Sequence, residues 1–296
     1  MKNRLAGNFA LFMTALIWGL GFVAQRAGME FIGPFTFNAA RSFLGALSLV
    51  PLILWFKYSK PDTRTPKRKY CQRVGLAKAG ISCGIMLFLA MSIQQYCMQY
   101  VGAGKAGFIT ALYIILVPIM SLFLGMKIAK RVILSVVLSL VGLYLLCFRP
   151  DGAFSIYDMI LLAGAFFYGA HILVVNKYAK VHPVKASAVQ FLVVGILSLI
   201  PMFALETPTL GQLVDCKIPL LYAGILACGV AYSLQMFGQK HTFPVLASLI
   251  LCLESVFAVV GGALILGEVM TAREIWGCVL MITAVVIANT KIDQRY

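Results

Sequence analysis

Ten apolar stretches, each close to the length that crosses a bilayer, constrain this chain more than any other feature. Read between charged residues and Pro/Gly breaks, they run approximately 5–25, 35–56, 75–99, 104–126, 131–148, 155–177, 184–205, 217–238, 243–266 and 272–290. A bilayer core about 30 Å thick takes roughly 20 residues of helix. It offers no water to satisfy an open backbone, so such stretches must close their hydrogen bonds internally as helices. Composition agrees: 61% of the residues are hydrophobic and 12% charged, against about 25% charged in soluble domains. A soluble fold could not hide that much apolar surface. The expected class is an all-α integral membrane protein with ten transmembrane helices.

The net charge of +15 does not indicate a nucleic-acid partner, because such a surface needs a water-facing basic domain and every polar segment here is short. Its placement indicates topology instead. With the amino terminus inside, 19 Lys and Arg fall on the inner side, five on the outer, and Arg41 alone lies within a span. The largest inner group flanks the basic stretch 57–74. Basic residues concentrate on the cytoplasmic side, so both termini are expected in the cytoplasm of a multi-pass plasma-membrane protein. The first apolar run is read as a retained helix, since no small-residue cleavage site follows it. Cys83, Cys97, Cys147, Cys228, Cys252 and Cys278 sit in apolar runs with no CxxC pairing and read as small hydrophobes. No metal and no cofactor is expected.

The two halves resemble each other. Gly45-Ala-Leu-Ser-Leu-Val-Pro51 matches Gly195-Ile-Leu-Ser-Leu-Ile-Pro201 at an offset of 150, which also aligns Trp18-Gly19 with Tyr168-Gly169. Later helices align at 141 to 142: Ser92 and Gln94 with Ser233 and Gln235, Gly125 with Gly267, Gly142 with Ala284. The shift reflects the basic loop, whose counterpart in the second half is shorter. Repeats are therefore expected at 1–148 and 149–296. Five helices start on one side and end on the other, so the second unit is inserted upside down. Inverted repeats of this kind characterise secondary transporters, with the substrate near the midplane where the halves meet.

Particular segments resemble the drug/metabolite transporter superfamily in its ten-helix form with two EamA-type repeats. They are Gly102-Ala-Gly-Lys-Ala-Gly-Phe-Ile-Thr-Ala-Leu-Tyr113 with Val117-Pro118, and Ala247-Ser-Leu-Ile-Leu-Cys-Leu-Glu-Ser-Val-Phe257 with Leu266-Gly-Glu268. Ser255 departs from the proline usual there, which predicts a straighter ninth helix. The resemblance implies that helices one, three, four, six, eight and nine surround a substrate cavity, with five and ten peripheral. Family substrates range over amino acids, nucleosides, sugars, vitamins and drugs.

Ionisable residues at mid-bilayer cost about 2.5–3.5 kcal/mol by insertion scales. Glu254 is read either as a coupling or substrate-amine site or as a structural carboxylate. Ala247, Ala258 and Gly261 on its helical face suit contact with protein. Arg41 shares a face with Asn38, Gly45 and Ser48; it is expected to pair inward with Glu254 or a backbone end, the alternatives being outward snorkelling and binding of an anionic substrate group. Cavity candidates are Gln94 and Gln95 on helix three, Tyr168 and His171 on helix six, and Tyr232 and Gln235 on helix eight, with Trp18, Tyr113 and Tyr168 as stacking platforms. Taken alone, each is more often interhelical glue than ligand, and aromatics near span ends are usually interfacial anchors. Gly102, Gly104 and Gly107 are candidate gating contacts. Pro118 is expected to kink or break helix four.

The expected function is secondary transport of a small organic metabolite, amino-acid-like or similar, by alternating access, with export favoured by family habit. Import of a vitamin, nucleoside or sugar-like metabolite is the alternative, and a non-transporting sensor or scaffold the third reading. No Walker motif suggests ATP drive, and neither HExxH, GxSxG nor paired intramembrane aspartates suggest an enzyme. The first helix lacks the mid-span glutamate of small multidrug transporters, which argues against a drug/proton antiporter of that type.

Overall fold

A computed structural model describes residues 2–59, 65–101, 103–147, 155–266 and 270–290. Regular structure among them is entirely helical, in ten successive rods. The first five are α1 (Lys2–Gly28), α2 (Pro34–Ser48, continuing as Val50–Ser59), α3 (Pro66–Cys97), α4 (Ala103–Ala111 and Tyr113–Phe123) and α5 (Lys130–Cys147). They are followed by α6 (Ile156–Lys177), α7 (Pro183–Leu205), α8 (Lys217–Leu221, Tyr222–Ala231, Tyr232–Gln239), α9 (Pro244–Leu251 and Glu254–Leu266) and α10 (Ala272–Asn289). A short helix, Leu210–Asp215, precedes α8. Among the described residues, nine stretches, in every rod but α5, are long and apolar enough to cross a membrane.

Helix starts follow from local chemistry. Pro34, Pro66, Pro183 and Pro244 open α2, α3, α7 and α9, where a missing N–H costs nothing and the fixed φ suits the first turn. Capping boxes, Ser155 with Asp158 and Thr271 with Glu274, open α6 and α10. Gly125, at φ 77°, ends the turn after α4, which settles the fourth–fifth boundary. The basic stretch after residue 65 is not a loop: α3 begins at Pro66 and runs 32 residues, about 48 Å at helical rise. Its basic first turns therefore extend past the hydrocarbon thickness.

Packing is symmetric. α2 packs on α7 and α8, while α7 packs on α2 and α3; α1 packs on α8 and α9, while α6 packs on α3 and α4. Exchanging each helix for the one five places along reproduces these pairs, and α5 packs on its own counterpart α10. The fold is thus two inverted five-helix repeats. α9 is central, 78% of its spanning window being buried against 28% for α10. Exposed side chains such as Phe123, Phe203 and Leu264 form the lipid-facing surface.

Both repeats break the same helix at the same place. α4 is interrupted at Leu112, and α9 at Cys252 and Leu253, which the offset of 141 superimposes. Leu112 N–H donates to Ile109 O at 3.2 Å and Leu253 N–H to Ile250 O at 3.2 Å, so each break is a tightened, 3₁₀-like turn. One expectation is corrected here: helix four is not broken at Pro118, which lies inside the continuous segment Tyr113–Phe123; the interruption in α4 falls six residues earlier. Ser255 follows directly on the turn at Cys252 and Leu253, which interrupts α9 without a proline.

Candidate substrate cavity

The two breaks meet at the centre. Tyr113 opens the second segment of α4 and Glu254 the second segment of α9. Tyr113 Oη donates to Glu254 Oε1 at 3.2 Å, and both residues are buried. The small face of α9 contacts protein, and its partner is α1: a Cβ on Gly19 would meet Glu254 O at 2.5 Å and Ala258 N at 2.9 Å. Only glycine permits that approach.

Above this crossing lies a cavity of about 50 Å³, walled by α1, α3, α4, α6, α8 and α9 with one contribution from α2. That set matches the helices the resemblance implied, except for Arg41 on α2. Trp18 and Tyr232 form one wall, ring centroids 4.5 Å apart. The opposite wall is a hydrogen-bonded chain in which Tyr168 Oη donates to Gln94 Oε1 at 2.8 Å and Gln94 Nε2 donates to Thr110 Oγ1 at 3.2 Å. Trp18 Nε1 donates to the carbonyl of Ala227 at 3.3 Å. Ala227 lies in the π-helical segment Tyr222–Ala231 of α8, a wider winding often found at functional sites.

Arg41 faces protein, only 4% exposed, so the snorkelling alternative is excluded. Its expected pairing with Glu254 is not formed either. Arg41 Nη1 donates to Gln25 Oε1 at 3.0 Å and Nη2 to Asn38 Oδ1 at 2.6 Å, and the guanidinium sits 5.2 Å from the Phe37 ring centroid. Arg41 Nε has no hydrogen-bond partner. Arg41 and Glu254 both line the cavity.

Seven sequence candidates therefore converge on one cavity: Trp18, Arg41, Gln94, Tyr113, Tyr168, Tyr232 and Glu254. Gln95, His171 and Gln235 stand behind its walls. Gln95 Nε2 donates to Gln25 O at 3.4 Å, and His171 Nε2 lies 3.1 Å from Gln190 Oε1 with its ring against Tyr232. Gln235 is buried with Oε1 unpartnered. Gly102 lies outside the described residues, and Gly104 sits in the first turn of α4. Gly107 is no tight contact, since a Cβ there would meet Phe22 at an ordinary 3.7 Å. Sequence reading missed Gln25 and Thr110 as cavity residues; both are polar side chains in spans, a signal discounted near a helix end.

The end of the bundle that carries the amino terminus is closed. Gly7 and Gly238 bring α1 and α8 into backbone contact. Asn8 Nδ2 donates to Asn289 Oδ1 at 2.6 Å, Thr242 Oγ1 donates to Asn8 Oδ1 at 3.0 Å, and Gln239 Nε2 donates to Ile172 O at 2.9 Å. The first two of these bonds join opposite repeats, and the third ties α8 to α6 within the second.

Inverted repeats, paired broken helices and a polar cavity at their crossing define a membrane transporter fold. Comparison with known proteins places it more closely. A family model described as the EamA-like transporter family matches residues 5–148 and 155–290, and the chain belongs to that family. A protein of Archaeoglobus fulgidus named an uncharacterized transporter is 30% identical over 293 residues, covering 98% of this chain and 88% of that protein. The Bacillus subtilis protein named uncharacterized transporter YoaV is 24% identical over 288 residues, 95% of each chain. A crystal structure shares the fold at a TM-score of 0.78 with 17% identity, covering 96% of this chain and 98% of the other. The protein is a multi-pass membrane transporter, not an enzyme.

Proposed function

We propose that the protein is a secondary transporter that moves a small, amino-acid-like metabolite by alternating access, in the export direction, across a plasma membrane with both termini cytoplasmic. The two repeats, 1–148 and 149–296, are the units that exchange shapes. The observation that carries this reading is the symmetric pair of breaks at Leu112 and at Cys252–Leu253, which meet where the cavity lies. A broken helix can tilt one segment without moving the other. Two such helices related by an inverted repeat can exchange conformations and open opposite ends in turn.

The closed end supports the assignment of mobile contacts. Its bonds between Asn8, Asn289 and Thr242 are exchangeable with water once the helices part. With the termini inside, this is the cytoplasmic gate. The cavity residues Trp18, Gln94, Tyr113, Tyr168, Tyr232 and Glu254 then contact substrate, while Gln95, His171 and Gln235 hold the wall behind it.

The test is counterflow in proteoliposomes preloaded with unlabelled amino acids, nucleosides or sugars and challenged with labelled ones. Saturable accumulation of labelled amino acids, lost in Tyr113→Phe/Glu254→Gln double variants, is expected. Absence of counterflow for all three classes in monodisperse protein would overturn the transport reading. Accumulation of a sugar or nucleoside alone would replace the amino-acid class.

A further inference from the structure

We infer that Arg41 anchors a carboxylate group of the substrate and so restricts the cavity to small carboxylate-bearing metabolites. The inference rests on the transport reading and narrows its substrate class. It begins from an unbalanced charge. Arg41 is 4% exposed within a membrane span, and its two hydrogen-bond acceptors, Gln25 Oε1 and Asn38 Oδ1, are both neutral. A cation buried in this way needs an anion, and Glu254, the carboxylate at the same cavity, bonds to Tyr113 instead.

The guanidinium is nonetheless held for a ligand. Gln25 reaches it from α1, Asn38 from one turn earlier on α2, and Phe37 lies under it. An arginine has five N–H donors in a rigid fork, and here Nε–H is unpartnered while the residue lines the cavity. A fork fixed by neutral partners, with donors left over, is the arrangement that binds a planar anion in register.

Charge and size select a carboxylate over a phosphate. One guanidinium offsets one negative charge, and a phosphate dianion would leave a second charge unbalanced within a membrane span. The cavity, about 50 Å³, suits a small group. A protonated amine on the same molecule fits where Glu254 and the faces of Trp18 and Tyr232 converge.

Trp18 supplies the assay. Trp55 and Trp276 are exposed and outside the cavity, so the Trp55→Phe/Trp276→Phe variant leaves Trp18 as the sole indole. Its fluorescence is titrated with glycine, L-alanine and L-serine, with their amides, and with inorganic phosphate. The acids are expected to give saturable quenching and the amides to bind at least about tenfold more weakly, the scale of a lost charge-assisted hydrogen bond. Arg41→Gln should erase the difference between acid and amide, and Arg41→Lys should reduce it. A merely structural role would weaken both ligands alike and keep their ratio. If Arg41→Gln does not fold, the wild-type ratio and Arg41→Lys decide.

Equal binding of acid and amide by the wild type, an acid preference that survives Arg41→Gln, or saturable binding of phosphate with the same Arg41 dependence would each overturn the assignment. Counterflow of a labelled sugar or nucleoside without acid-selective quenching would also overturn it while sparing the transport reading. Acid-selective quenching without counterflow of any solute would spare Arg41 and defeat transport.

Discussion

Gly19→Ala should damage this protein, and the size of the effect can be worked from the crossing of α1 and α9. The added Cβ would lie 2.5 Å from Glu254 O, 2.6 Å from Phe257 Cβ and 2.9 Å from Ala258 N. None of these atoms is the tip of a flexible side chain, so the clash is relieved only if the helices separate by about 1 Å. Overpacking of this kind costs about 1–3 kcal/mol, offset by at most about 1 kcal/mol of helix propensity gained over glycine. The separation also pulls at the Tyr113–Glu254 bond, because α9 carries Glu254 at the contact. Two controls bracket the effect. At Gly21 the nearest atom is 3.6 Å away, in ordinary contact, so alanine there should be neutral or stabilising. At Gly169, the repeat counterpart of Gly19, the nearest atom is Met120 Cε at 2.7 Å. That thioether end can turn aside, and the loss should be smaller. Thermal unfolding of the purified variants in one detergent, followed by size-exclusion survival, measures the order: Gly19→Ala least stable, then Gly169→Ala, then Gly21→Ala. A Gly19→Ala midpoint equal to or above that of Gly21→Ala would refute the crossing and the close approach of the two helices.

Three further outcomes are expected. Glu206, at the end of α7, accepts hydrogen bonds from Phe35 N, Thr36 N and Thr36 Oγ1 at 2.9, 2.7 and 2.5 Å, so it caps α2 across the repeat boundary. Glu206→Ala should cost about 1–2 kcal/mol, read as a lower thermal midpoint, and an unchanged midpoint would remove the cap. In a background free of cysteine, a cysteine substituted for Tyr168 at the cavity wall should react with a membrane-impermeant thiol reagent in a substrate-dependent manner. A cysteine substituted for the buried Gln235 should not react, and equal reactivity at both positions would contradict the cavity wall. A carboxy-terminal alkaline-phosphatase fusion should be inactive; activity would reverse the topology and with it the identity of the closed gate.

The apolar periodicity, the odd number of helices per repeat and the asymmetry of Lys and Arg carried the architecture without coordinates. In a bilayer the backbone must close its own hydrogen bonds, so length and composition leave helices as the single option and parity decides the inversion. The repeat offset even aligned Trp18-Gly19 with Tyr168-Gly169, which both prove to be contact points of the first helix of each repeat with a broken helix. Glu254 and Arg41 were legible because a charge in hydrocarbon is costly wherever it stands. What each of them touches was decided by tertiary structure. Arg41 is bound by Gln25 and Asn38 rather than by Glu254, because α2 meets α1 and α8 at the level of Arg41 while Glu254 is drawn to Tyr113. The breaks at Leu112 and at Cys252–Leu253 carry no proline, so no local rule marks them; each lies in a helix that packs against the first helix of the other repeat. Pro118, which local rules did mark, stays within its helix. His171 and Gln235 lie one helical turn beyond the cavity-lining Tyr168 and Tyr232, and Gln95 lies beside Gln94, so a step along the helix or about 100° around it separates a wall from what stands behind it. Sequence period sets the face of a helix, and only the positions of its neighbours determine how wide that face opens.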